Sequence, residues 1–583
     1  MQTLTTMPHV LLITVFPLLG TVVANSFLPD FNPKAVEKKC NSYAKDGGYG
    51  SAVVAADSFQ CSTVGKNILR KDGNAVDAAI ATLLCTGLTS PQSMGLGGGF
   101  FMTIFNTTSQ KSTVIDARET APEKARADMF AKNPIASFVG GLSIAVPSEI
   151  KGYWYAHQKY GRLPWSDLFQ PAIKMATDGF LVEDSLANVL KIFKRMLSKE
   201  KTMKDVFINN STKKVFKKGE KMKRPQLAKT LQVIAKEGMK ALYDGSLTND
   251  LMEDLKEIGS IITRNDLKNY KVLEKRPVEI LLNDGLRAVT VPAPGGGPIL
   301  ALILHILNGY NLTPESVETD AKRTQVYHRI AEAFKFAYAK RTEMGDEMFM
   351  NSPGFFQNLS SREYAEEMRC KLSDTQTHDV KYYGPTYDSK ITTGTSHLSV
   401  IDDESLAVSV TSTINARFGS QVRGMRTGII FNDEMDDFST PNVTNYFGFE
   451  PSPANFIAPG KRPVSSMCPT IFIDRQNYVS KILGAAGGSR ITSATALVAA
   501  HVIWLGDTLR EAMYRPRLHH QLVPNQLEYE VELSPVIVEG LRKMGHKMAK
   551  AVTVKSVVQG INMNTRKIYA ESDPRFGGAP SGY

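Results

Sequence analysis

Two threonines, one arginine and a short acidic cluster are the residues here whose types and spacing could do chemistry. Residues 391–415 read ITTGTSHLSVIDDESLAVSVTSTIN. Two runs of β-formers, Thr395–Ile401 and Leu406–Thr413, flank the polar turn Asp402–Ser405, which is the pattern of an antiparallel hairpin. A turn centred there makes opposite positions sum to about 808, so Thr395 faces Thr413. A threonine hydroxyl can serve as a nucleophile once a base takes its proton; the alternative is that threonine simply suits a strand. Glu434 and Asp437 stand three residues apart in N-D-E-M-D-D. Such a cluster could hold a cationic group, cap a helix, or form a loose calcium site. It lacks the alternating oxygen ligands and the glycine of an EF-hand. Arg118, in A-R-E-T-A-P at the end of the strand Thr113–Asp116, is either a surface charge or a bidentate carboxylate donor.

The elements that must position these residues read as α/β. Ser51–Ala56 is a short apolar strand. Asn74–Leu88 is a helical run with Val76, Ile80, Leu83 and Leu84 on one face. The glycines of M-G-L-G-G-G-F, Met94–Phe100, lead into the strand Phe101–Phe105. They match no phosphate-loop pattern and read as a place where backbones pass close together. Ser148–Lys340 is mostly amphipathic helix, with Leu227, Leu231, Ile234 and Ala235 on one apolar face, and Ala293–Pro298 reads as a loop. Lys371–Gly394 has no apolar period and reads as exposed loop. Gly487 and Gly488 directly precede a helix starting near Ile491–Ser493.

Length and composition bound the rest. A chain of 583 residues with 42% hydrophobic content is globular with an ample core. The net charge of +11 is local, with lysines crowded into Lys191–Arg224. No stacking motif or zinc-ligand spacing stands beside them, so that stretch is a solvated face and no nucleic-acid partner is expected. Residues 10–24 form an apolar run of signal-peptide length, Val22 and Ala24 being small residues before a cut. Residues 1–24 are therefore expected to be a cleaved signal peptide, the alternative being an uncleaved anchor, and the protein is expected to be secreted. Sequons at Asn106, Asn209, Asn210, Asn311, Asn358 and Asn442 agree with extracytoplasmic residence. Five cysteines are too few for a disulfide scaffold. Cys85 and Cys468 read as packed thiols, and no metal site is evident.

The strings T-S-H-L-S-V, T-S-T-I-N, F-G-S, N-D-E-M-D-D-F-S, R-P-V-S-S-M-C-P-T and G-A-A-G-G resemble the small subunit of the γ-glutamyltransferases, and the resemblance runs from about Asn41 to Tyr583. It implies an αββα sandwich of the N-terminal-nucleophile hydrolase type. One precursor would cut itself between Gly394 and Thr395 into a large subunit, 25–394, and a small one, 395–583. The freed Thr395 amine would then serve as base for its own hydroxyl. The resemblance implies that Thr413 orients that hydroxyl and that Gly487 and Gly488 offer backbone N–H groups to the oxyanion. Asn415, Glu434 and Asp437 would hold the substrate ammonium, with Arg118, Ser465 and Ser466 on its carboxylate. It further implies a Cys40–Cys61 disulfide and no catalytic role for His397, which reads as structural. The implied activity cleaves the γ-glutamyl amide of glutathione and its conjugates and passes the glutamyl group to water, amino acids or dipeptides, without a cofactor.

Two departures bear on the acceptor. Arg417 stands where mammalian members carry an aromatic residue, and the long lid loop of bacterial members is not seen between Asp437 and Pro463. A secreted paralogue acting mainly as a binding or effector protein is the rival class; intact site residues argue against it. An acylase for a β-lactam side chain shares the nucleophile but not the need for Arg118, Glu434 and Asp437.

Overall fold

The computed structural model describes residues 48–387, 394–441, 450–551, 556–564 and 567–583. The segment 1–24 and the sequon Asn442 lie outside them. Asp402 builds the hairpin turn: its Oδ1 accepts from the Glu404 and Leu406 N–H groups, and its Oδ2 accepts from Ala75 N at 2.9 Å. The strands run Ser396–Ile401 and Leu406–Thr413, with Ser396 opposite Ser412 and Ile401 opposite Ala407. This is the expected register. The hairpin forms the middle of a seven-stranded antiparallel sheet. The spatial order is Ser581–Gly582, Val53–Ala56, Ser396–Ile401, Leu406–Thr413, Gly99–Asn106, Lys111–Ala117, Leu273–Lys275.

A second antiparallel sheet has the order Ile568–Ser572, Val557–Met563, Val479–Ala486, Thr470–Ile473, Arg287–Thr290, Val278–Leu281. The sheets face one another across an apolar layer that includes Val53, Ala55, Ile401, Ala407, Ile471 and Ile482. Helices Phe59–Leu69 and Ala75–Thr89 cover the outer face of the first sheet, sharing its core with Leu398, Val400, Val408 and Val410. Gly297–Asn308, Asp320–Arg341 and Arg490–Ile503 cover the second. Four layers, helix–sheet–sheet–helix, are the expected αββα sandwich.

Most elements fall within a few residues of expectation. Asn74 caps the second helix, its side chain accepting from Val76 and Asp77 N–H groups. The apolar face of Pro225–Glu237 is buried as expected. Ala293–Pro298 departs, because Gly297 and Pro298 already open the helix Gly297–Asn308. A proline fits there since the first helical N–H groups have no intrahelical partner. In the stretch after Lys371, Tyr383 is buried, its hydroxyl donating to Glu332 Oε2 at 2.6 Å; the expected exposed loop is pinned at that point.

The cysteine expectation is corrected. Cys61 bonds Cys85, not Cys40, with a 2.02 Å S–S bond joining the paired helices Phe59–Leu69 and Ala75–Thr89. The packing of those helices brings the two Cα atoms to 5.4 Å, so Cys85 is not a free packed thiol. Cys40 lies outside the described residues. Cys468 is a buried thiol, as expected, and Cys370 is exposed. Of the described sequon asparagines, Asn210, Asn311 and Asn358 are exposed, and Asn106 and Asn209 are partly buried. Among the described residues no helix is long and apolar enough to cross a membrane.

Candidate active site

At the open end of the hairpin the Thr395 and Thr413 hydroxyl oxygens lie 3.1 Å apart, both residues buried. The Thr413 Oγ1 accepts from the Asn415 N–H at 2.8 Å, which fixes its rotamer. Thr395 has φ +84°, a left-handed backbone that costs a β-branched residue about 1–3 kcal/mol. Gly394 before it has φ +126°, and a Cβ there would sit 1.8 Å from the Asn415 carbonyl oxygen. Only glycine fits. The Gly394–Thr395 bond thus joins two residues held out of ordinary backbone conformations.

The Gly394 carbonyl oxygen accepts from Gly487 N–H at 3.2 Å. Gly487 and Gly488 lie between the strand Val479–Ala486 and the helix Arg490–Ile503, as expected. Their turn is held from below: Tyr338 Oη donates to the Ser489 carbonyl, and Ser489 Oγ donates to Gln521 Oε1. The site therefore has a hydroxyl, a second hydroxyl aimed at it, and a backbone donor on the adjacent carbonyl.

His397 is two residues away but belongs to the structure between the sheets. Its ring nitrogens bond Thr411 Oγ1 and Ser399 Oγ at 2.8 and 3.2 Å, and its ring fills the space above Gly484. Burial pushes its pKa down to about 3, so it is neutral at any working pH. This agrees with the structural reading.

A second, charged group adjoins the first. The Arg118 guanidinium is 1% exposed and bridges Glu434 Oε2 at 2.6 Å and Asp437 Oδ2 at 2.5 Å. Its Nη1 lies 3.6 Å from Glu119, a residue the sequence reading passed over although it follows Arg118 directly. Burial raises Glu119 to about 8 and holds Glu434 and Asp437 above the ordinary carboxylate range, with Arg118 opposing in each case. The charges assigned by resemblance to opposite ends of a substrate are here closed on one another. The Arg341 guanidinium acts on Asp437 as well, so the cluster is one of three acids and two arginines.

Short bonds tie this pocket to the threonines. Asn415 Nδ2 donates to the Asp433 carbonyl at 3.2 Å, and Asp433 N–H donates to the Ile414 carbonyl. That joins the Glu434 loop to the end of the Thr413 strand. Arg118 Nε and Nη2 lie 3.4 and 3.5 Å from the Pro463 and Val464 carbonyls, bringing Ser465 and Ser466 alongside. Ser465 Oγ accepts from Met467 N–H, whereas the Ser466 hydroxyl is buried with no partner. The Ser466 carbonyl accepts from Thr492 on the helix that follows Gly488. All the residues singled out by resemblance thus gather in one region.

Among the described residues one group has metal-ligand character, His328, Glu332 and His546. His328 Nδ1 and His546 Nε2 share a 2.8 Å hydrogen bond. Glu332 is already taken by Lys335, Thr377 and Tyr383, so lysine supplies the positive charge there.

The chain is similar to known proteins over most of its length. The Gamma-glutamyltranspeptidase family model matches residues 61–583. "Scoloptoxin SSD14" of Scolopendra dehaani is 42% identical over 94% of this chain and 95% of its own length. "Glutathione hydrolase proenzyme 1" of Schizosaccharomyces pombe is 37% identical over 97% and 91%. Among solved structures, the cephalosporin acylase from Bacillus halodurans matches with a TM-score of 0.79, covering 92% of this chain and 96% of that one; at 22% identity the likeness is one of fold.

Proposed function

The chain belongs to the gamma-glutamyltranspeptidase family, and from that premise we propose that it is a γ-glutamyltransferase and glutathione hydrolase that activates itself by cutting before Thr395. The observation that carries this reading is the strained Thr395, its hydroxyl beside Thr413, next to Gly394 whose carbonyl already accepts from Gly487 N–H.

In the precursor, Thr413 orients the Thr395 hydroxyl, which attacks the Gly394 carbonyl carbon. The developing oxyanion strengthens the Gly487 hydrogen bond, a term of roughly 3 kcal/mol in acyl transfer. The C–N bond breaks, its nitrogen takes a proton, and residue 394 is left as an ester on Thr395. Water hydrolyses that ester. The products are a chain ending at Gly394 and one of 583 − 394 = 189 residues beginning at Thr395. Relief of the left-handed φ at Thr395 favours the cut over its reversal.

The new amine has a reference pKa of about 7.7–8.0 and supplies the base that the neutral hydroxyl lacked. A γ-glutamyl donor enters with an ammonium and a carboxylate on one carbon. Its ammonium replaces the guanidinium as partner of Glu434 and Asp437, with Asn415 beside them. Its carboxylate takes Arg118, with Ser465 and the unpartnered Ser466 hydroxyl completing the site. Arginine suits this exchange because its planar fork can hold two carboxylate oxygens at once. Thr395 then attacks the γ-carbonyl, Gly487 and Gly488 N–H groups receive the oxyanion, and the departing amine takes the proton. Water, or the amine of an amino acid or dipeptide, resolves the ester. Every step uses groups of this chain.

We assign the mature chain to the outside of the cell on the strength of the apolar segment 10–24 and the exposed sequons. The test of activity is release of the aryl amine from a γ-glutamyl anilide, with and without a dipeptide acceptor. Turnover that vanishes in Thr395→Ala supports the reading; turnover retained by that variant overturns it.

A further inference from the structure

Strand side chains alternate between faces, and the hairpin shows the consequence. Thr395, His397 and Ser399 turn towards the second sheet, with Thr411 and Thr413 opposite them. Ser396 and Ser412, a directly opposed pair, turn the other way, towards the helical layer that contains Leu398 and Val410. Directly behind the hydroxyl pair there is thus a pair of serines, and two buried carboxyl groups that the mechanism does not use lie on that side, one of them bonded to Ser412.

On one side the Ser412 Oγ donates to Glu149 Oε1 at 2.7 Å. The same oxygen accepts from Tyr153 Oη. Glu149 opens the helix Glu149–Tyr160, and its N–H donates to the Gly98 carbonyl at 3.0 Å. Gly98 lies so close to the nucleophile strand that a Cβ there would fall 2.0 Å from the Thr413 carbonyl oxygen. Glu149 therefore grips the Thr413 end of the hairpin twice, through Ser412 and through Gly98. On the other side Asp57 follows the strand Val53–Ala56, and its Oδ1 accepts from Gln559 Nε2 at 2.6 Å. Its Oδ2 and the Ser396 Oγ are both buried and neither makes a hydrogen bond, although Ser396 and the His397 N–H act on the Asp57 carboxylate and oppose the effect of its burial. Both acids are 4% exposed or less.

Burial raises Glu149 to about 8, and Asp57 to about 6 against the opposing charge of Arg417. An apolar pair behind the strands would avoid that desolvation cost. Two costly groups on the two residues adjoining Thr395 and Thr413 call for a return, and the geometry supplies one. A hydrogen bond fixes direction as well as distance, which packing of alanine against leucine does not.

We propose that Glu149, and to a lesser degree Asp57, are positioning residues for the reaction: Glu149 by its hydrogen bond to Ser412 and Asp57 by its place beside Ser396 set the approach of the Thr395 hydroxyl to Thr413. The inference rests on the proposed use of Thr395 as nucleophile. Neither acid touches the substrate. They act by keeping a hydroxyl within the fraction of an ångström that acyl transfer needs, where a misplacement of about 1 Å lowers rate about 100-fold.

The experiment compares Glu149→Ala, Glu149→Gln, Ser412→Ala and Asp57→Ala with the full-length wild type. Rate of self-cleavage, kcat and KM are measured on protein whose melting shows it folded. The expected result is a fall in kcat of about 10- to 100-fold in Glu149→Ala, with KM within about twofold of wild type. Self-cleavage slows in proportion. Glu149→Gln, which keeps an acceptor for Ser412, retains kcat within about threefold. Ser412→Ala, which removes one hydroxyl and little volume, reproduces the Glu149→Ala loss and covers the case in which that variant does not fold. Asp57→Ala gives the same pattern with a smaller loss. Folded Glu149→Ala and Ser412→Ala proteins with wild-type kcat overturn the inference while leaving the proposed function standing. A wild type that neither cuts nor turns over overturns both.

Discussion

The two halves of the active region are built from opposite materials. Around Thr395 every group is neutral: two hydroxyls 3.1 Å apart, backbone amides, and a histidine that burial keeps uncharged. Around Arg118 ionisable groups dominate, with Glu434 and Asp437 on its guanidinium and Glu119 at 3.6 Å. The first half stores its readiness in backbone geometry, at Thr395; the second stores it in buried ionisable groups. Bond making needs hydroxyls placed to a fraction of an ångström, and any fixed charge there would bind water. Recognition of an amino-acid head needs charge, and burial makes that charge selective. Changes in the first half should therefore fall on kcat and on self-cleavage, and changes in the second on KM.

The largest effect is expected for Thr395→Ala, which removes the attacking atom. Cutting is abolished and turnover falls by more than about 10⁴-fold, as read by electrophoresis and an anilide assay. Arg118→Lys comes next. It keeps the charge but loses the fork, so KM for the γ-glutamyl donor rises about 100-fold while self-cleavage proceeds at wild-type rate. A slowed cut in this variant would break the division between the halves. Thr413→Ala removes the orienting hydroxyl and lowers both kcat and the rate of cutting about 10- to 100-fold, KM being little changed. The smallest effect is on stability. Glu149 is protonated in the folded chain up to about 8 and ionises from about 4.5 when exposed. Unfolding thus releases a proton between those values, and wild-type stability falls as pH rises through them. Glu149→Gln lacks that slope, so its melting temperature should gain on the wild type steadily from about pH 5 to about pH 8. A gap that stays constant with pH would show that Glu149 ionises normally in the fold.

The neutral half was more legible in the sequence than the charged half. Period-two runs and the Asp402 turn predict the hairpin and its register, and counting across the turn puts Thr395 opposite Thr413. Alternation says nothing about what lies behind the strand. Glu149 reaches Ser412 from 263 positions away, and no local pattern announces it. The pocket residues came from resemblance alone, and it assigned Arg118 and its carboxylates to different ends of a substrate without showing that they pair when none is bound. Cys61 was misassigned for a related reason: the resemblance paired it with Cys40, whereas its partner Cys85 is decided by how two helices pack. The first two residues of the helix Gly297–Asn308 were read as loop because a Gly-Pro start resembles a turn until the following residues are seen to be buried.

The central claim is that the catalytic base does not exist until the chain is cut. Sequencing the mature protein from its N-termini, together with intact mass, tests this most directly. The account predicts a polypeptide of 189 residues that begins T-S-H-L-S alongside one that ends at Gly394. Uncut protein that releases amine from a γ-glutamyl anilide at the full rate would contradict it.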